Sequence, residues 1–97
     1  MQTEDMISLD VFCTHYHAEY SFVHSLHESG LIEITTIENA VFIHKDQLSE
    51  LEKFVRLHYE MDINLEGIEA VNHLLNIVNE LQSEINTLKN KLHAGIE

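Results

Sequence analysis

The sequence predicts a fold that is mainly α with a small β-hairpin wing, in which a short head is joined to a long C-terminal helix. Three observations point there. Apolar residues recur at helical spacing through most of the chain, and no proline interrupts them. Two β-branched runs, Ile32–Ile37 and Ala40–Ile43, are separated only by Glu38-Asn39. Beyond residue 70, apolar residues settle into alternating steps of three and four: Val71, Leu74, Val78, Leu81, Ile85, Leu88 and Leu92.

The elements follow in order. Residues 1–5 read as a flexible polar tail. Ser8 is placed to cap a short helix whose Leu9, Phe12 and Cys13 share one face. A break around His15–His17 leads to a second helix over Ala18–Ser29, with Phe22, Val23 and Leu26 inward. Gly30 stands where a left-handed residue ends a helix, and Leu31 is placed to pack back over that end. Asn39 tolerates positive φ, so the two β-branched runs form a hairpin. Asp46 is expected to cap a third helix reaching Met61, with Leu48, Leu51, Phe54 and Val55 facing the core. A short polar break follows, and Asn64 can cap the last helix.

The domain organisation is therefore a tail over 1–5, a head over 6–62 and a coiled-coil dimerisation helix over 63–97. A head of this size cannot bury a stripe of seven apolar positions, so a second chain is expected against it. Orientation stays open on the residues alone. Valine or isoleucine at the a positions with leucine at d suits a parallel pair. Glu84 could meet Lys89 of a parallel partner or Lys91 of an antiparallel one.

Ninety-seven residues, 44% hydrophobic and 23% charged, suit one small globular unit. No apolar run approaches the ~20 residues of a membrane span, and the start has no basic-then-apolar leader. Cys13 is the lone cysteine, so no internal disulfide forms, and a cytoplasmic location is expected. The formal net charge is −12. From Met1 to His44 there is no lysine or arginine, while Glu4, Asp5, Asp10, Glu19, Glu28, Glu33 and Glu38 all fall there. Such a surface repels nucleic acid and anionic membranes and favours a basic partner.

Two short helices, a hairpin and a further helix make a winged helix-turn-helix arrangement. The segments Ile7-Ser8-Leu9-Asp10-Val11-Phe12-Cys13 and Leu26-His27-Glu28-Ser29-Gly30-Leu31-Ile32 resemble a MerR-like winged helix-turn-helix head. Asp62-Ile63-Asn64-Leu65-Glu66-Gly67-Ile68 is similar to the turn into the long C-terminal dimerisation helix of that superfamily. Within it, the chain most resembles the chaperone-modulator family CbpM, through Phe12-Cys13, Gly30-Leu31, Arg56-Leu57, Glu60, Leu65, Gly67, Ile68 and the leucine-rich tail. The resemblance implies a bacterial, cytoplasmic inhibitor of a DnaJ-like co-chaperone of the CbpA type. Such an inhibitor binds the partner's J-domain and blocks its action with DnaK. The resemblance also implies an antiparallel dimer.

A DNA-reading head needs Lys or Arg for phosphates and Arg, Asn or Gln for base edges. Here the second helix offers Glu19, Tyr20, Ser21, His24, Ser25, His27 and Glu28. A DNA-binding transcriptional regulator of the MerR family is accordingly the second reading, and a dimeric adaptor for another basic protein the third. Glu28, Glu33 and Glu38, then Glu60, Asp62 and Glu69 near the helix junction, are the candidate partner contacts. Part of the junction acidity, Glu66 above all, also suits a helix N-terminus. The eight histidines invite a metal reading through Cys13, His15, His17, His24 and His27. His15 and His17 diverge on a helix, however, and the one cysteine faces the core, so neither metal nor cofactor is expected. No reactive-thiolate setting, phosphate loop or catalytic triad can be defended, and the chain reads as a non-enzyme.

Overall fold

The computed structural model describes residues 5–96, with side chains to residue 95. In chain order the elements are β1 (Met6–Ser8), α1 (Leu9–Tyr16), α2 (Tyr20–Glu28), β2 (Thr35–Ile37), β3 (Ala40–His44), a 3₁₀ turn (Lys45–Gln47), α3 (Leu48–Tyr59) and α4 (Leu65–Ile96). The tail expected over 1–5 lies, except for Asp5, outside the described residues.

The strands form one antiparallel sheet in the order β1-β3-β2. β1 was not expected. It pairs Met6 with His44, Ile7 with Ile43 and Ser8 with Phe42. Three residues carry no readable period, and their ladder comes from a strand far along the chain. β2 and β3 are the anticipated wing, with Ile37 opposite Ala40. At the hairpin turn Glu38 (φ 49°) and Asn39 (φ 68°) are both left-handed, the pair of conformations a two-residue type I′ turn demands.

Several helix boundaries differ from expectation, each for a local reason. Ser8 holds the N-cap position of α1 but its side chain makes no capping bond. His17 turns left-handed (φ 56°), and the Ala18 N–H donates to the Cys13 carbonyl at 3.0 Å. That closure buries Ala18 in the turn, so α2 begins at Tyr20. At its other end Gly30 (φ 81°) completes a Schellman closure. Leu31 N–H reaches the Leu26 carbonyl and Gly30 N–H that of His27, both at 3.0 Å.

β2 starts at Thr35 rather than Ile32, because the Gln47 side chain takes the place of a strand neighbour at Glu33. Its Oε1 accepts from the Glu33 N–H at 2.6 Å and its Nε2 donates to the Glu33 carbonyl at 2.7 Å. Asp46 does not cap α3. It lies inside the 3₁₀ turn, where its N–H donates to His44 Nδ1 at 3.1 Å. α3 ends at Tyr59, short of Met61.

The core consists of Leu9, Phe12, Ala18, Phe22, Val23, Leu26, Ile32, Ile43, Leu51, Phe54, Val55 and Ile68, and no buried polar or charged residue accompanies them among the described residues. Every helix of the head contributes at the positions its period assigns. α4 contributes Ile68, with Leu65 packed half-buried against the core, and then leaves the head. At ~1.5 Å per residue its 32 residues run for about 48 Å.

Candidate interaction surfaces

The junction between α3 and α4 sets the direction in which the long helix departs. Asp62 turns left-handed (φ 61°) between the two helices. Asn64 then caps α4 as expected: its Oδ1 accepts from the Gly67 N–H at 2.8 Å. Ile63 before the cap and Ile68 four residues after it both join the core, the arrangement of a hydrophobic staple.

His58 ties this junction to the head. Its Nδ1 lies 2.9 Å from the Ile63 carbonyl, and since a carbonyl only accepts, Nδ1 carries the proton. The ring stacks on Phe22 of α2 at 4.2 Å between centroids. Tyr59 packs edge-on against Phe22, and its hydroxyl accepts from the Glu19 N–H at 2.9 Å. One turn of α3 therefore grips both ends of the problem, the start of α2 and the start of α4. His27 repeats the device one helix earlier, with Nδ1 3.4 Å from the Ile32 carbonyl. Sequence reasoning missed these roles for His58, Tyr59, Phe22 and Gln47. A signal existed for the two histidines: each sits in the last turn of a helix, five residues before an isoleucine.

The six candidate acids are all exposed, and no hydrogen bond or ion pair joins one to another among the described residues. Glu28, at the end of α2, lies 3.5 Å from His24. Glu33 was expected on a strand but precedes it, held by Gln47. Glu38 is at the wing tip. Glu60 follows α3, Asp62 is in the turn, and Glu69 is on the first turns of α4.

The stripe on α4 is in the open. Leu74 is 59% exposed and Leu92 69%, with Val78, Leu81, Ile85 and Leu88 between them; Val71 is half-buried near the head. Leu75 and Ile77 widen the apolar face at its head-proximal end. A run of this extent is far beyond the scattered apolar residues a monomer tolerates.

The histidines do not converge. Among the described residues no three of His, Cys, Asp and Glu stand in reach of one metal ion. Cys13 is half-buried, and burial together with the nearby Asp10 carboxylate pushes its thiol above the ordinary range. Tyr16 donates its hydroxyl to Glu52; this bond, partial burial and the carboxylate's charge raise its pKa, against the opposing charge of Arg56. No helix among the described residues is long and apolar enough to cross a membrane.

Two short helices closed by a tight turn, a hairpin wing beside them and a long helix carried away from the core define a winged helix-turn-helix regulatory protein. The chain belongs to the MerR helix-turn-helix family: the family model described as MerR HTH family regulatory protein matches residues 7–90. Searches among curated proteins and among solved structures gave no match.

Proposed function

We propose that this protein is a homodimeric, cytoplasmic regulator that inhibits a DnaJ-like co-chaperone of the CbpA type, binding its J-domain and blocking its action with DnaK. The proposal places it with the CbpM chaperone modulators, which its Arg56–Ile68 segment resembles. One observation carries the choice of a protein partner over DNA. The elements that a winged helix-turn-helix turns towards DNA are α1, α2 and the β2–β3 wing, and all lie within a segment lacking lysine and arginine. A DNA-binding head gains most of its affinity from cations on phosphates. This one would bring Glu19, Glu28 and Glu38 to the backbone instead.

The same charge suits a basic protein surface, since complementary potentials raise on-rates and reject wrong partners. Glu28, Glu33 and Glu38 at the wing side, and Glu60, Asp62 and Glu69 at the junction, are the proposed acidic contacts. Val71, Leu74, Val78, Leu81, Ile85, Leu88 and Leu92 are the proposed dimer seam.

The test measures two things on the purified protein. Calorimetric titration with a J-domain is expected to show binding that weakens with salt, and the protein should suppress J-domain stimulation of DnaK ATPase activity. A low-salt gel shift with promoter-length duplex should show no complex. A retarded duplex and an inert J-domain would instead establish the transcriptional reading.

A further inference from the structure

The head buries its apolar side chains thoroughly, which makes the few left outside informative. Among the described residues its large exposed hydrophobics are Val11, Tyr20, Tyr59 and Met61. Three of these gather where α2 begins and α3 ends. Tyr59 bonds the backbone of Glu19, Tyr20 is the next residue, and Met61 lies just past the end of α3. Beside Tyr59 a recess of about 150 Å³ is lined by Tyr16, Glu52, Val55, Arg56, Tyr59 and Glu60.

The chemistry of this face is that of an interface centre. Tyrosine, methionine and arginine are the side chains enriched there. Arg56 is the only arginine in the chain, and Glu52 and Glu60 stand one helical turn to either side. Yet it ion-pairs with neither among the described residues. Glu52 is instead occupied by the Tyr16 hydroxyl. The fold thus leaves Arg56, Tyr20 and Met61 exposed, and Tyr59 still 42% exposed although its ring edge meets Phe22 and its hydroxyl bonds Glu19. Around them the charge is negative, with Glu19, Glu52, Glu60 and Asp62 against the single cation.

We propose that this face, centred on Tyr59, Arg56 and the adjoining recess, is the docking surface for a basic helix of a protein partner. A lysine or arginine of that helix lays its aliphatic stem against the rings of Tyr16 and Tyr59, with its charge towards Glu52 and Glu60. Arg56 takes an acceptor group from the same helix. The proposal rests on the reading that the protein acts on a basic partner, and it chooses the α3 end over the wing as the place of contact.

Two variants of equal charge separate a built surface from general electrostatics. Glu60→Lys and Glu38→Lys alter the net charge identically, but only the first touches the recess. Calorimetric titration of the full chain with a J-domain is expected to show about tenfold weaker binding for Glu60→Lys and for the uncharged change Met61→Ser. Glu38→Lys should cost about threefold or less, through the on-rate. Equal losses at Glu60 and Glu38, or none at Met61, would overturn the assignment. If the unaltered protein fails to bind the J-domain, the co-chaperone reading falls, and a second measurement decides this surface alone. Amide shifts of the labelled protein on titration with a synthetic lysine-rich amphipathic peptide should concentrate at Tyr16, Tyr20 and residues 56–61. Shifts centred on residues 28–38, or spread evenly over the acids, would refute the docking surface.

Discussion

Gly67→Ala is the most searching test of the helix junction, because helix propensity and packing demand opposite outcomes. Alanine is about 1 kcal/mol better than glycine inside a helix. A Cβ at Gly67, however, would stand 2.6 Å from Ile63 Cγ2 and 3.1 Å from Asn64 Oδ1. Carbon atoms rest at ~3.5–4.0 Å, so the first contact is about 1 Å too close. Ile63 cannot easily yield. Its branched Cβ allows few rotamers, its side chain packs on the core, and His58 bonds its carbonyl. Overpacking of this kind costs ~1–3 kcal/mol, and a weakened Asn64 cap adds up to ~1 kcal/mol. The net expectation is a loss of about 1–2 kcal/mol. In a domain of 60–100 residues each kcal/mol lowers the melting temperature by roughly 4–8 °C. Urea unfolding followed by far-UV circular dichroism, at one fixed protein concentration, reads the change. Gly95, with nothing within 4 Å of its would-be Cβ, is the control, and Gly95→Ala should leave stability unchanged or slightly raised. Ile63→Ala removes the obstructing methyl, so Gly67→Ala should hurt less in that background. A Gly67→Ala protein as stable as the original, or strictly additive effects with Ile63→Ala, would refute the steric account.

Three further outcomes follow from the same geometry. Light scattering at micromolar concentration should give a dimer mass, and Leu81→Asp with Leu88→Asp should give monomer, since both leucines lie exposed on the stripe; a monomer without substitution would refute the seam. Partner binding should weaken as salt is raised, because a formal net charge of −12 acts on the partner through exposed groups that ions screen; an affinity that stays flat with salt while the fold persists would contradict electrostatic attraction. The Cys13 thiol, its pKa raised by burial and then by Asp10, should react with a disulfide reagent at pH 8 more slowly than free cysteine, and at the free rate in urea; fast labelling of the folded chain would contradict its placement.

Much of the fold was legible in the residues because its determinants are local. The i, i+3 and i+4 spacings placed Leu9 with Phe12, and Phe22 with Val23 and Leu26, and all five are buried. Gly30 and Asn64 do at the helix ends what their chemistry suggested. The hairpin turn is at Glu38-Asn39, and the stripe on α4 was visible as a period before any coordinate gave it exposure. In each case a few neighbouring residues fix the backbone, and neighbours are what a sequence displays.

Only the tertiary structure decided the rest. β1 exists because β3 offers it a ladder; Met6–Ser8 has no strand character by itself. Asp46 looked like a cap, but the strand-to-helix connection tightened into a 3₁₀ turn and His44 Nδ1 took the hydrogen bond. Glu33 left the strand because Gln47, fourteen residues later, bonds both its backbone groups. The stack of His58 on Phe22 and the bond between Tyr59 and Glu19 cross 36 and 40 positions. The amino-acid sequence determined the family, the helices and the acidity, since these depend on composition and short-range period. Where the aromatic face lies, with Tyr16 of α1 meeting Glu52 of α3 and Tyr59 meeting the start of α2, depended on side chains from separate helices meeting in space, and the order of residues along a chain does not record such meetings.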